Sequence, residues 1–254
     1  MQLMHEILIL SIIQGVTEFL PVSSSAHLIF FSKYFNFTNS NITLDISFHI
    51  GSLLAIIFYF KKDLLDFVNN KILFFKILIS SIPVIVFGIL LIKFHLMDYL
   101  RNYKIIGWTT IIFGVLLYFS DLIKVKKTIS KNFKLSTAFY IGIFQILSLI
   151  PGVSRSGITI TGARFLNFDR VDSAKISFLI SIPTLAAATI YNLQSLIIEK
   201  NFDVSLINFI GISLSFIFSY ITIKFFLRFV KKFSLLSFVI YRVIFGSLIL
   251  FYAY

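Results

Sequence analysis

The sequence predicts an all-α polytopic membrane protein: six transmembrane helices plus two re-entrant helical hairpins in an inverted-topology repeat. Three observations lead there. Of 254 residues, 58% are hydrophobic and only 13% are charged, with mean hydropathy +0.95; a soluble chain of this length needs far more polar surface. Apolar runs of spanning length alternate with short basic loops. Twice, a short apolar run ends in a proline and a Ser/Gly-rich tip, and three full spans follow.

The first unit begins with Ile7 to Leu20, apolar apart from Ser11, Gln14, Thr17 and Glu18. At ~1.5 Å per residue that run reaches about 21 Å, short of a ~30 Å hydrocarbon core. Pro21 breaks the helix, and a second short piece runs from Ala26 to Phe35. Two half-length helices meeting at a polar tip describe a re-entrant hairpin, tolerated at membrane depth only inside protein or beside water. A polar loop at 36–41 leads to spans near Asp45–Phe60, Phe74–Ile92 (with Pro83) and Ile105–Phe119. A basic loop with Lys124, Lys126, Lys127, Lys131 and Lys134 precedes the second hairpin, Ser136 to Phe165. The final spans lie near Ala174–Leu193 (with Pro183), Leu206–Leu227 and Leu235–Tyr254.

This order divides one membrane domain into repeats at 1–121 and 136–254. A shift of 130 residues superposes Pro21 on Pro151, Ser24 on Ser154, and Ile46-Ser47-Phe48 on Ile176-Ser177-Phe178. Three spans per half is an odd number, so the halves should be inverted. The face reached after the first full span carries sixteen Lys and Arg residues and the opposite face five, leaving only Arg155 and Arg242 in apolar surroundings. The basic face is then cytoplasmic, both termini lie outside, and the tips enter from opposite faces to meet near the midplane.

The net charge of +12 belongs to these loops, where it sets topology and meets anionic headgroups, so nucleic acid is not an expected partner. With no cysteine, disulfides, thiol catalysis and thiolate metal sites are excluded. Ser24-Ser25-Ala26 has the form of a signal-peptide cleavage site, but no basic n-region precedes it and the apolar run holds Gln14 and Glu18; it is expected to stay uncleaved.

The tips hold the chemistry, because ionisable groups inside apolar sequence mark functional sites. Ser23, Ser24 and Ser25 after Pro21 have the form of a helix N-terminus with capping hydroxyls and free N–H groups. Gly152, Ser154, Arg155, Ser156 and Gly157, with Thr159 beyond, have the same form. Two such termini facing one cavity attract an anion, phosphate best of all, and Arg155 adds a planar charge for bidentate binding. Glu18 shares a helix face with Gln14, and the pair with phosphate oxygens suits Mg²⁺ or Ca²⁺. His27 and the serines are candidate base, acid and nucleophile. Serine runs in membrane helices also bond their own backbone or pack helices, and Arg155 has the alternative role of a bare counter-ion to Glu18. His49 and His95 are expected to be hydrogen-bonded interior groups.

The segment from Gln14 through Glu18-Phe-Leu-Pro-Val-Ser-Ser-Ser-Ala-His27, with Pro151-Gly-Val-Ser-Arg-Ser-Gly157, resembles the bacterial undecaprenyl-diphosphatase family of the bacitracin-resistance type. The similarity extends through Ile-Ser-Phe-His-Ile-Gly51-Ser, Ser177-Phe-Leu-Ile-Ser-Ile-Pro183 and Tyr241-Arg242. The resemblance implies an integral membrane phosphatase of the bacterial inner membrane. Such an enzyme removes the terminal phosphate of a prenyl diphosphate lipid at the outer face, with a divalent cation, and so recycles the cell-wall carrier. By the same resemblance Gln14 and Glu18 form the family's acidic motif, Ser24 is its nucleophile, His27 its histidine and Arg155 its phosphate-binding arginine. Gln14 is the neutral option where many members carry a second Glu. Asp45 sits where an acidic residue commonly precedes the first full span. The prenyl tail is expected between spans, lined by phenylalanines. The rival reading is a transporter or flippase of an anionic lipid using the same site, and a homodimer stays open.

Overall fold

The structure is a computed structural model that describes residues 2–35, 37, 42–65, 71–198 and 206–254. The described residues form helices, apart from turns and one isolated bridge between Lys127 and Phe168. The first unit is α1 (Gln2–Thr17) and α2 (Ser24–Tyr34). Then come α3 (Ile42–Tyr59), the short α4 (Lys61–Leu65), α5 (Lys71–Lys93), the short α6 (Met97–Leu100) and α7 (Tyr103–Asp121). After a single turn, α8 (Ile129–Asn132), the second unit is α9 (Leu135–Ile146) and α10 (Arg155–Phe165). The chain ends in α11 (Arg170–Ile198), α12 (Leu206–Lys232) and α13 (Leu236–Ala253). Five of these, α5, α7, α11, α12 and α13, are long and apolar enough to cross a membrane, and α3 is apolar over the slightly shorter Thr43–Tyr59. The sequence expectation of a full span at α3 therefore meets a helix just under that length. The loop expected at 36–41 lies outside the described residues except for Phe37.

Two hydroxyls in α1 are satisfied within the helix: Ser11 and Thr17 donate to the carbonyls of Ile7 and Ile13, both at 2.6 Å. The helix starts at Gln2, five residues before the predicted Ile7. It ends where the amide of Glu18 makes the last regular bond, 3.0 Å to Gln14 O, ahead of Pro21. Both proline-containing spans, α5 with Pro83 and α11 with Pro183, run on as single helices.

The packing is reciprocal. α1 lies along α12, and α9 lies along α5. α7 and α13 pack on each other, as do α3 and α12. At the α3–α12 seam the backbones come so close that a Cβ on Gly51 would sit 2.3 Å from Ile212 O. Beside it, Ser52 bonds Ser215 at 3.1 Å and Ser219 at 2.9 Å. Small residues let backbones approach, which is how helices associate where no hydrophobic drive separates protein from lipid.

The basic loops gather at one end. Asp121 accepts from Arg170 Nε at 2.7 Å, from its Nη2 at 2.9 Å and from the Leu235 amide at 3.0 Å. Arg164, 2% exposed, ties the carbonyls of Phe168, Asp121 and Ile123 together, while Lys175 pairs with Asp63. At the other end Lys33 lies over the Tyr103 ring and Lys104 over Tyr254. This grouping is the one the sequence predicts. His95, expected in the interior, is instead exposed in the turn after α5 with φ 54°.

Candidate active site

Two tips converge between α7 and α13. Tip one, residues 18–23, ends in Ser23, which caps α2 by accepting from Ala26 N at 3.4 Å. Tip two ends in Ser154, which caps α10 by accepting from Gly157 N at 3.1 Å. Both caps have positive φ, 75° and 71°, rare for residues with a Cβ. Both hydroxyls also lie 3.2 Å from a serine two residues on, Ser25 and Ser156. The caps are therefore equivalent at a spacing of 131, not 130, and the partner of Ser24 is Arg155 rather than Ser154. Tip two holds an extra residue between its proline and its cap, and Gly152 turns it with φ 95°.

Ser24 and Arg155, the first residues of α2 and α10, both reach Glu18. Ser24 Oγ donates to Glu18 Oε2 at 2.6 Å, and Gln14 Nε2 donates to the same oxygen at 2.9 Å. Arg155 Nη2 pairs with Oε1, and Arg155 Nη1 donates to Thr184 Oγ1 at 3.3 Å. The glutamate side chain is 5% exposed and the arginine 17%, so the pair sits inside the protein as opposite charges at that depth require. His49 Nδ1 lies 2.7 Å from Asp45 O.

His27 is turned elsewhere. Its Nδ1 lies 2.7 Å from Ser23 O and its Nε2 2.6 Å from Tyr241 Oη. Helical spacing puts Ser24 and His27 on one face of α2, yet the hydroxyl and the imidazole have different partners. Thr159, expected among the phosphate-binding residues, is fully buried, with its hydroxyl 2.8 Å from Arg155 O, 3.2 Å from Ser156 O and 2.7 Å from Ser177 Oγ. Ser156 braces the tips instead, donating to Leu20 O at 2.7 Å. Ser25 is exposed.

Arg242, noted in the sequence as an arginine in an apolar span and as part of Tyr241-Arg242 in the family resemblance but given no role there, holds the tips from α13. It donates to Pro21 O at 3.3 Å, Gly152 O at 2.8 Å and Thr110 O at 3.0 Å, with no exposed surface. Thr109 of α7 adds a bond to Pro151 O at 2.7 Å. A Cβ on Gly152 would meet Thr109 Oγ1 at 2.1 Å and Ile106 O at 2.6 Å. Gly152→Ala is thus expected to lose about 1–3 kcal/mol of stability through strain and displacement of the tip. A lowered melting temperature in detergent, with weakened phosphate binding, is the check.

The cation expectation meets a donor set already in use. Both Glu18 oxygens accept hydrogen bonds, and Gln14 Oε1 is the buried oxygen of the pair left without a partner. No group of three His, Cys, Asp or Glu residues fit to hold a metal occurs among the described residues. A single neutral oxygen does not hold Mg²⁺ or Ca²⁺, which need several hard oxygen ligands; the residues present do not fit a protein-held ion.

The fold and site define a class: a multi-pass membrane protein in which two helix N-termini, one arginine and one carboxylate–serine pair are buried together. The profile of the family described as "Bacitracin resistance protein BacA" matches residues 7–248, and the chain belongs to that family. It is 52% identical over 247 residues to an undecaprenyl-diphosphatase of Pelagibacter ubique, covering 97% of this chain and 96% of that one. Relatives of the same name from Saccharophagus degradans (39% identical) and Jannaschia sp. (37% identical) are each matched over 97% of both chains.

Proposed function

We propose that this chain hydrolyses undecaprenyl diphosphate to undecaprenyl phosphate and inorganic phosphate where the two tips meet. Full-length similarity to proteins named for that reaction supports hydrolysis over transport. The observation that carries the mechanism is Glu18 held between the first residues of two helices, Ser24 on one oxygen and Arg155 on the other.

In the resting site Arg155 neutralises Glu18. An incoming diphosphate offers the guanidinium a better bidentate partner, and the positive ends of the α2 and α10 dipoles favour the same phosphoryl group. Glu18, released from Arg155, takes the Ser24 proton as Oγ attacks the terminal phosphorus. The bridging P–O bond breaks and undecaprenyl phosphate leaves with that oxygen. Water then attacks the phosphoserine, Glu18 returns its proton to Ser24 Oγ, and the water proton goes to a phosphate oxygen. A divalent ion bound to the diphosphate would supply charge neutralisation there, while Arg155 and the two helix N-termini are the protein's own contribution.

The prenyl tail has a path. A cavity of about 330 Å³ is lined by Thr184, the partner of Arg155, by Val84, Ile85, Gly88, Leu149 and Ala188, and also by Arg101, Tyr191 and Asn192. Its lining is mostly aliphatic with a polar portion, where the sequence suggests phenylalanines. The reciprocal packing and twin caps support an inverted repeat of six spans and two re-entrant hairpins, divided at 1–121 and 136–254. The basic end supports an inner-membrane topology with both termini outside and the site open to the outer face.

The test is phosphate release by detergent-solubilised protein given undecaprenyl diphosphate. One phosphate should appear per undecaprenyl phosphate formed. Protein that moves lipid phosphate across sealed vesicles but releases no phosphate in detergent would establish the transporter reading instead.

A further inference from the structure

We propose that His27 is a positioning residue that fixes the direction of Ser24 through the Ser23 carbonyl and does not carry the Ser24 proton. The inference deepens the hydrolase reading above and rests on it. A carbonyl oxygen only accepts, so the nitrogen 2.7 Å from Ser23 O must carry the ring hydrogen: His27 is the Nδ1–H tautomer. Its Nε2 is then the acceptor, and Tyr241 Oη donates to it at 2.6 Å. Both ring nitrogens are occupied, neither by Ser24, whose hydroxyl is committed to Glu18. The ring is 2% exposed and lies flat between its neighbours, 4.0 Å from the Phe245 centroid and 5.6 Å from that of Tyr241. Such an imidazole is locked by packing and hydrogen bonds on every side.

The two tips show why tip one needs it. In tip two the cap carbonyl, Ser154 O, accepts the regular helical bond from Ile158 N at 2.9 Å. In tip one the corresponding bond from His27 N to Ser23 O is stretched to 3.3 Å. The His27 side chain makes the shorter contact to the same carbonyl and holds a cap whose φ of 75° is otherwise disfavoured. The next residue is Ser24, so the angle at Ser23 sets where its Oγ points. Tyr241 and Arg242 are adjacent on α13, one bracing tip one through His27, the other bonding Pro21 O and Gly152 O.

The amide nitrogen of asparagine overlays Nδ1 of histidine, and that of glutamine overlays Nε2. His27→Asn keeps the donor to Ser23 O and is expected to retain kcat within about tenfold. His27→Gln and His27→Ala lose that donor and should fall by about a hundredfold or more, with KM changed far less. Tyr241→Phe, which keeps the ring and removes the donor, should cost about tenfold in kcat. Melting temperatures and gel filtration of every variant identify any that fail to fold. Two results overturn the proposal: folded Asn and Gln variants equally inactive, or His27→Ala rescued by added imidazoles with rates that follow their basicity, the signature of proton transfer. Absence of phosphate release by the unaltered protein would defeat the hydrolase reading, and this inference with it.

Discussion

Ser24→Ala is expected to lower kcat for lipid-diphosphate hydrolysis by about 10⁴-fold or more, with KM nearly unchanged, as removal of a nucleophile does in other hydrolases. The reason is local. Ser24 is the first residue of α2, next to the Ser23 cap, and its hydroxyl is already bonded to a buried carboxylate at 2.6 Å. Ser25 has the same chemistry and a different position: it is exposed and touches only the hydroxyl of Ser23 among the serines of the run. Ser25→Ala should therefore cost about tenfold or less, the scale of one hydrogen bond. Parallel steady-state assays of the two variants decide between a nucleophile and a run of capping hydroxyls, which would make both losses alike.

Arg155→Ala should reduce kcat/KM by about 10³-fold or more, since it removes the charge that meets the phosphate and leaves Glu18 buried without a partner. Arg155→Lys should recover only part of this, because an ammonium supplies charge without the planar fork. Glu18→Gln should be comparably severe. The double variant Glu18→Gln/Arg155→Ala should lose far less than the product of the single losses, as expected for groups that act as a unit. Additive losses, measured in the same assay, would mean that the pair does not work together.

Much of this site is legible in the amino-acid sequence. Opposite charges in apolar tips 137 positions apart have to meet, because neither is stable alone in lipid. The spans follow from hydropathy, and the grouping of loops at two ends follows from where lysine and arginine fall. What escapes the sequence depends on local geometry. The extra residue in tip two moves the register by one between Pro151 and Ser154, and identities at a fixed shift cannot report a backbone that turns through Gly152. Helical spacing puts Ser24 and His27 on one face, but the direction of each side chain is decided by Glu18 and Tyr241, on other elements. Arg242 is a single residue in a uniform apolar run, and its three carbonyl partners lie on tip one, tip two and α7. Thr184, one of two threonines in α11, stands out because Arg155 reaches it.

The proposed hydrolysis turns on Ser24, delivered by one helix N-terminus to a carboxylate shared with the arginine of the other, attacking the terminal phosphorus. Rapid acid quenching of the unaltered protein with undecaprenyl diphosphate labelled in its terminal phosphate, followed by peptide mapping, tests that attack most directly. Label is expected on the peptide containing Ser24, appearing before free phosphate and absent from Ser24→Ala. Full-rate turnover with no label on protein at any quench time, or label on another residue, would contradict it.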